Sequence, residues 1–165
     1  MCGSVPLQPP ALMSDRRPPV PRPALVYALA GLAPFAACAG LIFVSRDDAQ
    51  VAVAVEAVYG AVILSFLGGA RWGIEIQRAA PRPGLITLAM APSVLGFGAA
   101  LWTMGGEQGA NAVSGLLALA ALFIAAGAWD VTSRDVPEWY PRLRTAITLA
   151  VVVLLAASVL GVARG

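Results

Sequence analysis

The chain has 165 residues, of which 59% are hydrophobic and 12% charged, with no histidine and two cysteines. Soluble domains carry about 25% charged residues, so the composition points away from a water-soluble core and toward a polytopic membrane protein. The lack of histidine excludes histidine-ligated haem, an H-E-x-x-H zinc site and a histidine-based triad, and the eleven arginines are spread along the chain, so a net charge of +2 carries no nucleic-acid signal.

Residues 1–23, "MCGSVPLQPPALMSDRRPPVPRP", hold seven of the thirteen prolines and read as a disordered, proline-rich tail. Met13 is a plausible alternative start within it. Residues 24–165 read as one transmembrane domain. About 20 apolar residues are needed to cross the hydrocarbon of a bilayer, and five stretches qualify: 24–44, 50–69, 85–104, 111–129 and 143–162. The fold class is therefore all-α, a bundle of five transmembrane helices whose short connections make successive helices antiparallel neighbours. Cys38 in the first span reads as a small soft hydrophobe. With Cys2 so distant, neither a disulfide nor a metal site is expected, and no cofactor is implied.

The second span carries most of the signal. At intervals of four it reads Ala57, Ala61, Ser65, Gly69 and Gly73, a ridge of small residues. Close backbone approach must supply the contact between helices in lipid, and such ridges permit it. The neighbouring ridge Glu56, Gly60, Leu64, Gly68 and Trp72 adds two more glycines. Ala61, Ser65, Gly68, Gly69 and Gly73 are thus the expected packing motif, with this helix at the bundle's centre.

Glu56 is the one acid well inside a span, where a charge costs roughly 2.5–3.5 kcal/mol near mid-bilayer. It reads either as a protonatable group facing the interior, with Tyr59 one turn deeper as its hydrogen-bond partner, or as a helix-end acid hydrated from outside. Arg71-Trp72 reads as an interface anchor. As a functional group, Arg71 would pair with Asp130 at the end of the fourth span, or with Glu75 four residues on.

Pro34 and Pro92 interrupt the first and third spans, and each frees a backbone carbonyl. Around the fourth connection lie Trp129, Asp130, Asp135, Glu138, Trp139 and Tyr140. Trp72, Trp129, Trp139 and Tyr140 read as interface anchors. The charges Arg71, Glu75, Asp130, Asp135 and Glu138 read as ordinary surface ion pairs, with a lipid head group or a cation as the alternative use.

The elements "GLAPF", "EAVYGAVILSFLGGARWG", "APS" and "WYPRLRTAITLAVVVLL" together resemble the domain of unknown function 3429 family of small polytopic membrane proteins. The resemblance covers about residues 24 to 160 and implies a compact helical protein of the bacterial inner membrane, or the mitochondrial one in eukaryotic relatives. It carries over the motif positions Tyr59, Gly60, Ser65, Phe66, Leu67, Gly68, Gly69, Arg71, Trp72 and Gly73, without a role for any of them. No nucleophile–base pair is visible, and no enzyme activity is expected. The expected partners are the lipid bilayer and other membrane proteins or a second copy of the chain, in an assembly role. A small-solute or proton-coupled transporter using Glu56 is the alternative.

Arginine placement predicts the orientation. Arg16, Arg17, Arg22, Arg71, Arg78, Arg82, Arg134, Arg142 and Arg144 fall on one side and Arg46 and Arg164 on the other. By the positive-inside rule the N-terminus is cytoplasmic and the C-terminus outside. A periplasm-dependent phosphatase fused after Gly165 should be active and a fluorescent protein there dark. The reverse pattern would invert the topology.

Overall fold

The computed structural model describes residues 18–106 and 110–164. The proline-rich segment up to residue 17, with Cys2 and Met13, lies outside the described residues. Five helices account for nearly all the rest: α1 Arg22–Val44, α2 Arg46–Ile76, α3 Pro83–Met104, α4 Ala110–Thr132 and α5 Tyr140–Ala163. All five are long and apolar enough to cross a membrane.

Local chemistry sets the helix ends. Proline stands in the first turn of α1, α3 and α5, where its fixed φ suits a helix and its missing N–H costs nothing. That is why α1 starts at Arg22, before the apolar boundary at residue 24. A single residue, Ser45, separates α1 from α2. Its hydroxyl oxygen accepts from the Asp48 N–H at 3.3 Å, and Asp47 and Asp48 complement the dipole of the first turn. After α3 the chain turns at Gly106, whose φ of +130° favours glycine. At 31 residues α2 is the longest helix, and it continues past the apolar window through Arg71 and Glu75.

The helices close into a ring in chain order, with α1 against α5, while α2 and α4 also meet across the middle. Correspondingly, nearly half of the spanning window of α2 and of α4 is buried, against about a fifth in the other three. The centre is filled by Phe35, Leu64, Leu116, Leu119, Phe123 and Leu155. Phe35 follows Pro34, with its ring edge-on to Phe123 at 5.8 Å and to Tyr59 at 5.1 Å. Outward, Phe66, Phe97, Val94 and Trp102 are left exposed, an apolar surface that water would not tolerate and lipid does.

A glycine marks nearly every contact in the ring. A Cβ on Gly161 of α5 would lie 2.6 Å from Ile42 of α1, and one on Gly127 of α4 would lie 2.7 Å from Thr148 of α5. Gly115 of α4 is filled by Thr103 of α3, and Gly96 of α3 by Leu64 of α2, while Gly60 of α2 lies against Leu119 of α4. At Gly68 of α2 the occupant is a backbone atom, the Ala89 carbonyl oxygen of α3.

The small-residue ridge on α2 does not behave as one surface. Ala57 is buried, Ala61 is half-buried, and Ser65 and Gly69 are exposed. Added Cβ atoms at Gly69 and Gly73 would meet nothing within 4 Å. A step of four residues overshoots the helical repeat by about 40°, so the row winds off the buried face. The buried stripe instead runs Glu56, Gly60, Leu64, Gly68, Arg71 and Glu75.

This division can be measured. Gly68→Ala should lower the stability of the detergent-solubilised protein by about 1–3 kcal/mol, because the backbone of α3 must move. Gly69→Ala should leave it unchanged or slightly raised, through helix propensity. Thermal unfolding followed by tryptophan fluorescence distinguishes the two.

Candidate functional site

Asp130, at the last turn of α4, is buried between two arginines. Arg71 Nε of α2 donates to its Oδ1 at 2.5 Å, and Arg144 Nε of α5 lies 2.7 Å from its Oδ2. The Tyr140 hydroxyl donates to the same Oδ2 at 3.2 Å. One carboxylate therefore ties three helices. Arg71 also donates through Nη2 to the Trp129 carbonyl at 3.4 Å and lies over the Trp129 ring, 5.5 Å from its centroid. Arg71, Asp130 and Arg144 are all buried, so these are not the surface ion pairs that the sequence suggested.

A second layer lies beside the first. Glu75, also buried, accepts from the backbone N–H and Nε of Arg82, each at 2.8 Å, and from its Nη2 at 2.7 Å. These bonds push the Arg82 guanidinium still further toward its charged form. Arg78 bridges Glu75 and Asp135. The local pairing of Arg71 with Glu75 is thus not formed: Glu75 is taken by the loop that follows its helix, and Arg71 is drawn to α4. Glu138 is exposed and makes no ion pair among the described residues. Between the layers opens a cavity of about 480 Å³, with Arg71, Arg78, Arg82 and Arg134 on its wall.

Glu56 lies deep in the bundle, fully buried, with neither carboxyl oxygen hydrogen-bonded. Water does not reach it, which overturns the reading of a hydrated helix-end acid. Tyr59 does not serve it either. The Tyr59 hydroxyl donates to the Gly31 carbonyl at 3.1 Å, beside the turn that Pro34 disrupts, and its ring packs on Phe35. Glu56 instead neighbours Ser158 of α5 and the free thiol of Cys38. The Ser158 hydroxyl itself donates to Leu154 at 3.2 Å.

Of the packing motif, Gly68 is seated on α3 and Ala61 lies against Gly96. Ser65 accepts a hydrogen bond from Ser93 at 3.2 Å, and a Cβ added at Gly69 or Gly73 would meet nothing within 4 Å. Among the aromatic anchors, Trp72 is exposed, whereas Trp129 and Tyr140 are turned to the charged cluster. Trp139 stacks edge-on against Tyr140 at 5.9 Å.

Arg144, Arg78, Arg82 and Ser158 escaped sequence reasoning as partners. The signal was present in α5, whose buried residues Arg144, Thr148, Val151, Leu155 and Ser158 recur at three and four, the spacing of one helix face. Tyr140 and Arg144 lie four apart and so share that face.

Removing the shared carboxylate should be costly, because two buried guanidiniums lose their counter-charge. Asp130→Asn is expected to destabilise by about 3–5 kcal/mol, while Glu138→Gln at the same end should stay within about 0.5 kcal/mol. Chemical denaturation in mild detergent compares them directly.

Comparison with known proteins locates the chain among relatives. A family model described as a protein of unknown function (DUF3429) matches residues 20–160. Transmembrane protein 69 of Mus musculus is 34% identical over 132 residues, covering 78% of this chain and 52% of that protein. Transmembrane protein 69 of Xenopus tropicalis is 32% identical over 143 residues, covering 85% and 54% respectively. The chain spans about half the length of these curated relatives. No solved structure matches. Five membrane-crossing helices agree with the relatives' names, and this chain belongs to the DUF3429 family of multi-pass membrane proteins.

Proposed function

We propose that this protein is a docking and assembly partner of other membrane proteins, resident in a bacterial inner membrane with its arginine-rich end in the cytoplasm. The open space over Gly69 and Gly73 on α2 carries this reading. Ser65, Gly69 and Gly73 follow one another at single turns, and no part of the bundle fills the space above the two glycines. Where helices of this bundle pack on Gly68, Gly96, Gly115, Gly127 and Gly161, the glycine receives a neighbour's side chain or backbone, whereas Gly40, Gly84 and Gly98 are as open as Gly69 and Gly73. A transmembrane helix from another protein, or from a second copy, would complete the same arrangement here by van der Waals contact. Each uncovered glycine costs roughly 1 kcal/mol of helix propensity relative to alanine, which such a contact would offset.

A second reading rests on a separate observation. A cavity of about 770 Å³ at the opposite end is lined by Val53 of α2 and Val162 of α5. Glu56 and Ser158 lie one turn further in along the same two helices. A proton-coupled carrier would use such an unpartnered acid beneath an open vestibule.

In-cell cross-linking followed by gentle extraction and native mass measurement separates the readings. The wild type should be recovered in a larger membrane complex or homo-oligomer, and Gly69→Val with Gly73→Val should release it without lowering its unfolding temperature. A monomeric wild type would remove the docking reading. The carrier reading then requires Glu56→Gln to abolish proton-coupled uptake into proteoliposomes while the fold is retained.

A further inference from the structure

The docking reading makes no use of the arginine-lined cavity. Arg71, Arg78, Arg82 and Arg134 stand on its wall against the carboxylates of Glu75 and Asp135, so the wall is positive. The imbalance continues behind it, where Arg71 and Arg144 divide the single carboxylate of Asp130. Arg144 Nη2 is buried there without a hydrogen-bond partner.

Donors remain on the wall itself. Arg71 is 8% exposed and spends Nε and Nη2 on Asp130 and Trp129, leaving Nη1 without a bond. Arg134 has no hydrogen bond or ion pair among the described residues. Glu75 and Asp135 are engaged by Arg78 and Arg82, and so fix those guanidiniums in position.

We propose that this cavity binds a phosphate-bearing anion, either the head group of an anionic phospholipid or free phosphate. Planar guanidinium forks match phosphate oxygens. Because Arg71 is held on both sides, by Asp130 and by Trp129, little side-chain freedom is lost on binding. The cavity of about 480 Å³ falls within the range of small-ligand pockets. Ile74 and Leu85 give its wall an apolar portion, which suits the glycerol backbone of a lipid. Its place at the ends of α2 and α4 is where lipid head groups lie. The site is independent of what docks on α2.

The test uses purified full-length protein in a neutral detergent, titrated with short-chain phosphatidylglycerol, short-chain phosphatidylcholine or inorganic phosphate. Unfolding temperature and bound mass are read together. Phosphatidylglycerol should raise the unfolding temperature and remain bound in the native mass spectrum, and phosphatidylcholine should do neither. Arg134→Gln removes a partnerless guanidinium and should weaken binding about tenfold. Arg142→Gln removes the same charge from the exposed surface off the cavity wall, and should bind as the wild type does. Displacement of the lipid by inorganic phosphate at similar concentration assigns the site to the free anion, and failure to displace it assigns the site to the lipid. Equal binding of both lipids, or equal behaviour of the two variants, would overturn the proposal.

Discussion

Helices immersed in lipid gain nothing from hiding apolar surface against each other, because the acyl chains are as apolar as leucine. Contact must come from close approach. The ring of five helices is organised by that constraint: α5 approaches α1 at Gly161, α4 approaches α5 at Gly127 and α3 at Gly115, and α2 approaches α3 at Gly68 and Gly96. The largest fully buried side chains, Phe35, Phe123 and Leu64 among them, fill the middle. The two prolines inside helices fit the same scheme. Pro34 immediately precedes Phe35, whose ring fills the centre. Pro92 lies one turn beyond Ala89, whose carbonyl rests in the space over Gly68.

Close approach alone leaves helices free to slide and rotate, and the charged end removes that freedom. A buried carboxylate between guanidiniums is weak evidence for stability, since desolvation offsets much of the attraction, but it is highly directional. Asp130 requires Arg71 of α2 and Arg144 of α5 at one point. The axial position and the rotation of three helices are thereby fixed relative to one another. Arg78 and Arg82 do the same for the connections through Glu75 and Asp135. The opposite end has no equivalent lock among the described residues, and the larger cavity opens there.

Much of this was legible in the sequence. Apolar length gave the five spans, because twenty apolar residues in a row admit few alternatives. The possible pairing of Arg71 with Asp130 followed from both lying at helix ends on one side, and the structure brings them together. Reading the small-residue row at intervals of four went astray, since that interval drifts against the true repeat and carries Ser65 and Gly69 outward. Tyr140 and Trp129 were read by residue type as interface aromatics. The Tyr140 hydroxyl and the Trp129 ring instead serve buried charges, which depends on how the helices face each other, and single-chain periodicity does not contain that. Arg144 was counted only as a topological charge. Its four-residue spacing from Tyr140 was the missed clue.

The same lock bears on Glu56. This acid and Arg71 occupy one buried stripe of one helix, fifteen residues or about 22 Å apart. Gly60, Leu64 and Gly68 between them are all in contact with neighbours. A helix held at Gly68 by the α3 backbone and at Arg71 by Asp130 cannot rotate to release Glu56 toward water or lipid. The inward position of the acid is therefore imposed by residues elsewhere on α2, so its burial alone says nothing about use. What architecture does not impose is the residue type. A glutamine or leucine would sit at the same place on the same stripe at lower cost in a bilayer. Ser158 beside it gives its hydroxyl to the Leu154 carbonyl, and neither carboxyl oxygen of Glu56 is hydrogen-bonded.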